Sequence, residues 1–372
     1  MTPGAQTDRA SAAGQPATWL PRRPSWLPSF IPELQGVRGL AILWVVLYHS
    51  NPRLKGTWLY GSVIWGWAGV ILFFILSGFL ITANLLATRD QPRYFHNFHA
   101  RRAIRIWPVY LIVLAIVYLN APWFIGPSVW GAIRTAPWWA YLLCIQNLFP
   151  LNLPAALVPT WALAIEEQYY FFWAPAVRWL RRPWMLTTLL CAALVLSPWL
   201  KLHYARYHWL NPNHSLIHLD GLALGSLLAI ALYKLPISRR VWFWIGAVAC
   251  VAGIWAAGTI AGGTAYLDSA LTLGFGGAIL VFIAGTGARN PLTAVLSRGP
   301  LAWVGKISYG LYMIHIPAFV FIGWFDLWID KAHPGIPGNL AIVALRLVVA
   351  IGVASALWYG IETRILKLKA RF

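Results

Sequence analysis

The sequence predicts an all-α, polytopic transmembrane helix bundle of ten spans plus a short re-entrant helix, with both termini cytosolic. Composition is the first reason. The chain has 372 residues, 59% hydrophobic and 10% charged, with a mean hydropathy of +0.63; a soluble fold of this length could not hide so many apolar side chains. The second is the recurrence of apolar stretches near the roughly 20 residues that cross a hydrocarbon core of about 30 Å. The third is the distribution of basic residues. With the N-terminus inside and residues 137–150 not crossing, 22 of the 29 Lys and Arg fall on inside segments. Six (Arg53, Lys55, Arg134, Lys201, Arg206 and Lys331) fall on outside loops, and Arg346 lies within the last span, as the positive-inside rule requires. If residues 137–150 crossed, every later loop would change sides and the bias would collapse.

The elements follow in order. Residues 1–31 are Pro-, Ala- and Ser-rich and read as a disordered cytosolic tail, with no apolar region ahead of a small-residue cleavage site. Residues 32–362 form the transmembrane domain, and 363–372 a basic cytosolic tail. The expected spans are 32–50, 66–87, 103–120, 159–177, 185–200, 214–233, 241–260, 269–286, 302–322 and 339–360. The apolar piece 137–150 is too short to span comfortably and reads as a re-entrant or interfacial helix. The 24 Trp and 15 Tyr suit the aromatic belts at the two interfaces. A formal charge of +19 could suggest nucleic acid, but the basic residues are scattered over short loops between apolar spans, which argues against it. Cys144, Cys191 and Cys250 lie at irregular spacing in apolar context, so they read as inert core residues.

Chemistry enters through the ionisable residues inside spans, which are costly there and usually functional. Arg38 and His49 are eleven residues apart on the first span. They share one face, about 16 Å apart along the axis. In RYFHNFHARRAIRIWPVY, Arg101, Arg102 and Arg105 gather at the inner mouth of the third span, with Pro108 and Tyr110 just inside. This cluster fits ordinary positive-inside bias or a guanidinium clamp for phosphate. PTWALAIEEQYYFFWAP buries Glu166 and Glu167 in the outer half of a span, where His49 also lies. A carboxylate that orients an imidazole is the usual companion of a His general base, though a structural ion pair with an Arg would also explain these acids. Asp220 is a further buried acid near His218, and Ser308 and His315 share a face near the outer end of ISYGLYMIHIP. Gly69, Ser77 and Gly78 on the second span read as plain packing positions. No spacing of His, Cys or carboxylates suits a metal, so no metal requirement is expected.

Taken together and in order, these segments resemble the membrane acyltransferase-3 family. The resemblance rests on Arg38 to His49, FFILSGFLIT, RRAIRIWPVY, WALAIEEQYYFFW and SYGLYMIHIP, and runs from about residue 33 to 317. It implies an integral membrane O-acyltransferase of the cell (inner or plasma) membrane. Such an enzyme moves an acyl group, usually acetyl, from cytosolic acyl-CoA (acetyl-CoA) to a hydroxyl of an extracytoplasmic or lipid-linked carbohydrate. Polysaccharide biosynthesis or export proteins would be its partners. On this reading Arg101, Arg102 and Arg105, with Tyr110, hold the cofactor. Arg38 lines the entrance for a pantetheine arm whose length suits the distance to His49, and His49 acts as base or acyl acceptor. Glu166 orients or relays, and Glu167, Asp220, Ser308 and His315 meet the acceptor. A secondary-metabolite sugar is an alternative acceptor. A transporter or flippase would also want a polar path, but no inverted repeat is evident. Two positions depart from the family pattern: Gln35 stands where Asp is frequent, and His218 where Arg is common. Many relatives carry an additional C-terminal extracytoplasmic domain, so transfer here is expected to finish within the membrane part.

Overall fold

The computed structural model describes residues 24–28, 30–124, 136–149, 155–203, 210–259, 264–286 and 291–371. Most of the predicted tail, residues 1–23, and the outside-loop residues Arg134 and Arg206 lie outside these. The regular structure among the described residues is helical. In chain order the main elements are α1 (Glu33–Tyr48), α2 (Gly69–Thr88), α3 (Tyr94–Phe124), α4 (Trp138–Leu142), α5 (Thr160–Trp179) and α6 (Pro183–His203). They continue with α7 (Leu219–Lys234), α8 (Arg239–Thr259), α9 (Thr264–Gly285), α10 (Pro300–Phe321), α11 (Gly323–Ala332) and α12 (Ile336–Leu357).

Among the described residues, seven helical stretches are long and apolar enough to cross a membrane: Tyr60–Thr88, Tyr94–Leu119, Pro183–His203, Arg239–Thr259, Tyr266–Gly285, Pro300–Phe321 and Ile336–Lys369. Three further expected spans form helices without meeting that measure. Helices α1 and α7 have only 16 residues each, and α5 has 20 but carries Glu166, Glu167 and Gln168. All three pack inside the bundle, where protein rather than lipid meets their polar groups. Of residues 137–150, those described (137–149) form the short α4 and a 3-10 turn at Gln146–Leu148.

Helix α1 lies between α10 and α2, and α2 packs along α7. The sequence permits this closeness through glycine. A Cβ on Gly305 would overlap the Gln35 carbonyl of α1, and one on Gly78 or Gly225 would overlap the Leu222 or Ile75 carbonyl across the α2–α7 seam. Gly305→Leu is therefore expected to lower the thermal stability of the detergent-solubilised protein, by at least the roughly 1–3 kcal/mol typical of overpacking. Gly258→Leu, where nothing lies within 4 Å, should melt like the wild type. Equal melting of the two variants would refute the α1–α10 contact.

Several details differ from the sequence reading. Leu27 and Ile31, assigned to the tail, are buried against α1 and its neighbours, because apolar side chains beside a helix start have a core to join. Lys201, counted with an outside loop, is buried in the last turn of α6. Cys191 is exposed on α6, unlike buried Cys144, so it is not a core residue. Helix α11 was not foreseen. Its polar side is pinned by Arg346 on Asp326 at 2.5 Å and Arg53 on Asp330 at 2.6 Å, while Trp324, Phe325 and Trp328 are exposed.

Candidate active site

Three cavities that share lining residues run into the bundle from its basic end. The outermost, about 1590 Å³ including space open to solvent, is lined by Gln35, Arg38, Arg101, Arg102, Arg105 and Lys369 among others. The next is lined by Arg38, Ser77, Arg102, Arg105, Glu166, Tyr170 and Tyr309. The innermost keeps Arg38, Ser77, Glu166 and Tyr309 and adds Phe74, Ser308 and Tyr312. Arg38 borders all three, whereas His49, on the same helix, borders none of them.

The guanidinium groups are held by rings rather than by acids. Arg102 lies 5.1 Å from the Tyr170 ring, Arg105 5.5 Å from the Trp358 ring, and Arg38 6.0 Å from the Phe73 ring. Among the described residues, Arg38, Arg102 and Arg105 make no ion pair within 4 Å. Stacking fixes the plane of a guanidinium and leaves its N–H donors for an anion. Lys369 adds a fifth cation to the lining of the mouth, and the buried Glu362 carboxylate lies within electrostatic reach of Arg105 and Arg38 without a hydrogen bond. The sequence reading missed both. They stand in what looked like a span end and a solvated tail, and only folding back the C-terminus brings them to α3.

Glu166 accepts from Ser77 at 2.6 Å and from Tyr170 at 2.9 Å. The direct pairing of Glu166 with His49 expected from the sequence is not formed, because Glu166 shares its cavities with Arg38, whereas His49 borders none of them and meets His315. Ser77, read as a packing residue, is thus also a polar wall of the site. Ser308 Oγ and Arg38 Nε are buried without hydrogen-bond partners, and both residues face the innermost cavity. Such atoms are costly to leave unpaired, which marks a place for a ligand's polar groups.

His49 instead meets His315. Its Nδ1 is 2.9 Å from the Val45 carbonyl and 3.3 Å from His315 Nε2, and the two rings lie 4.9 Å apart. His315 is fully buried and touches the Tyr312 ring at 5.9 Å, one step beyond the innermost cavity.

The remaining predicted site residues are placed elsewhere. Tyr110, expected at the cofactor, is buried and donates its hydroxyl to the Tyr141 carbonyl at 2.8 Å, tying α4 to α3. It lines none of the three cavities. Asp220, expected at the acceptor, is buried and bonded to Lys201 at 2.6 Å and Ser197 at 3.3 Å. Glu167 lines none of the three cavities either, and its Oε1 is buried without a partner. Gln168, the third polar residue of that run, donates to the Cys144 carbonyl at 2.7 Å and Asn147 at 2.8 Å and accepts from Ser215 at 2.6 Å. It thereby fastens the turn after α4, where Cys144 takes a left-handed φ of 53°. No group of three His, Cys, Asp or Glu able to hold a metal occurs among the described residues.

A family model described as an acyltransferase domain matches residues 31–359. The peptidoglycan O-acetyltransferase OatA of Listeria monocytogenes is 27% identical over 320 residues, covering 77% of this chain and 49% of the relative. The O-acetyltransferase OatA of Staphylococcus aureus is 28% identical over 326 residues, covering 79% and 51%. The chain therefore spans about half the length of the curated relatives it matches. No solved structure matches.

Proposed function

We propose that this chain, which belongs to the acyltransferase-3 family, transfers an acetyl group from cytosolic acetyl-CoA to a hydroxyl of a cell-envelope carbohydrate. It is a multi-pass membrane protein, and its ten hydrophobic helices would cross with both termini in the cytosol, so that the basic mouth faces the nucleotide. The observation that carries the reading is the row of cavities. It begins at ring-stacked arginines with unspent donors, runs past Arg38 and reaches Tyr312, whose ring lies 5.9 Å from that of His315, the partner of His49.

Arg101, Arg102, Arg105 and Lys369 would hold the phosphates of the donor, since guanidinium forks match phosphate oxygens. Arg38 Nε and Ser308 Oγ would meet polar groups of the pantetheine arm. At the far end His49 would take the proton of the acceptor hydroxyl as its oxygen forms the new C–O bond. The C–S bond to coenzyme A then breaks, and the same proton passes from His49 to the leaving thiolate. The peptidoglycan named for the Listeria relative supports a cell-wall glycan as acceptor.

The test follows labelled acetyl from acetyl-CoA into a cell-surface glycan fraction, using membranes that contain the protein. Wild type is expected to transfer. Arg102→Ala should raise KM for acetyl-CoA roughly 10- to 100-fold, the loss of one charge-assisted hydrogen bond of about 1.5–3 kcal/mol. An Arg102→Ala enzyme with unchanged KM would remove the phosphate role, and wild-type membranes that label no glycan would remove the acceptor class.

A further inference from the structure

The hydrogen-bonding surroundings of the two histidines fix where their protons sit. His315 Nδ1 lies 2.7 Å from the Tyr312 carbonyl and 3.2 Å from the Leu311 carbonyl. Carbonyl oxygens only accept, so this nitrogen carries a hydrogen. His49 Nδ1 lies 2.9 Å from the Val45 carbonyl, and the same reasoning puts a hydrogen there. Between the rings, His49 Nδ1 and His315 Nε2 are 3.3 Å apart. With a hydrogen already on His49 Nδ1, His315 Nε2 must be the bare acceptor, because two N–H groups would oppose each other at that distance. His315 is therefore neutral. His49 then holds its one hydrogen on Nδ1, shared between Val45 and His315, and its Nε2 is a free lone pair. Among the described residues, Nε2 of His49 makes no hydrogen bond.

We propose that His315 is a positioning residue for the acyl-transfer base: by accepting the Nδ1–H of His49, it holds that ring in the tautomer whose Nε2 takes the hydroxyl proton. The inference rests on the transfer reading given above. Catalytic histidines are commonly oriented by a carboxylate. Here the carboxylate expected from the sequence, Glu166, is occupied by Ser77 and Tyr170, and a neutral imidazole stands beside His49 instead. When His49 Nε2 gains the proton, its Nδ1–H becomes a charge-assisted donor to His315 Nε2, which needs no change of its own protonation to receive it. This assigns His315 a role other than acceptor binding.

Two measurements test it. Histidine-selective nitrogen-15 NMR of the solubilised wild-type protein, with His49 assigned by its disappearance in His49→Ala, should show a protonated Nδ1 and a bare Nε2. The reverse tautomer would overturn the proposal. In the transfer assay, His315→Ala should lower kcat on the order of 10- to 100-fold, the scale of a mispositioned catalytic group, with KM for acetyl-CoA within about twofold. His315→Gln, whose amide oxygen can accept the same hydrogen, should recover most of that loss. Equal losses in the alanine and glutamine variants, or full activity in the alanine variant, would sink the positioning role. A wild type that transfers nothing would remove the functional reading alone, since the NMR result is obtained without turnover.

Discussion

Replacing His49 with alanine is expected to lower acetyl transfer by roughly 10²- to 10⁴-fold, the usual contribution of a positioned general base, in a protein that still inserts and assembles. The reasons are local. The imidazole makes one hydrogen-bond contact to the backbone, at Val45, and one to a side chain, His315, besides an edge contact with the Tyr48 ring, and it is only partly buried. Its removal leaves His315 Nε2 without a donor, at a stability cost of about 1–3 kcal/mol, which a bundle this extensively packed can absorb. Donor binding should survive, because Arg102 and Arg105, the proposed donor contacts, line cavities that His49 does not border. The expected signature is therefore a collapse of kcat with KM for acetyl-CoA held within a few fold, read with labelled acetyl-CoA in membranes of matched protein content. Normal transfer by His49→Ala would make His49 a packing residue and remove the centre of the mechanism. A collapse in KM instead would move His49 into donor binding.

What the sequence could reveal followed from cost. An ionisable residue inside an apolar span needs a reason, and Arg38, Arg102, Arg105 and Glu166, picked out on that ground, border one continuous set of cavities. Periodicity along a single helix was informative in part: Arg38 borders the cavities, while His49, farther along α1, meets His315 of α10 and borders none of them. What crosses between helices was not legible. Which side chain Glu166 meets depends on the depth of α5 relative to α1 and α2, and a single sequence carries no register between elements, so Ser77 and Tyr170 could not be foreseen as its partners. Tyr110 and Asp220 were credited with ligands because they are polar in apolar surroundings. Each is instead satisfied by protein, Tyr110 by the Tyr141 carbonyl and Asp220 by Lys201. Burial raises the value of any partner, and a partner within the chain leaves no residue-level sign. Three helices also escaped the plain measure of a span, since burial inside the bundle relieves them of the need to be apolar.

Asp220→Ala is expected to destabilise the protein rather than to weaken acceptor binding. Lys201 Nζ is 2.6 Å from Asp220 and 3.4 Å from Asp268, and both Lys201 and Asp220 side chains are about 5% exposed. The pair joins α6 to α7, and Asp268 adds α9. Ser197 contributes a further bond to Asp220 and another to the Ile217 carbonyl. Removing one member of a buried ion pair leaves its partner's charge uncompensated, typically at about 3–5 kcal/mol, and here Asp268 keeps part of that compensation in place. The consequence is a lower melting temperature in detergent and less folded protein in membranes. The surviving enzyme should show an unchanged KM for the proposed glycan acceptor, as the ion pair lines none of the three cavities. The double variant Asp220→Leu with Lys201→Met should recover much of the stability, because replacing a buried ion pair by apolar groups of similar volume is often neutral or favourable. A single variant that melts like the wild type but binds its acceptor poorly would return Asp220 to the acceptor site and make Lys201 its companion there.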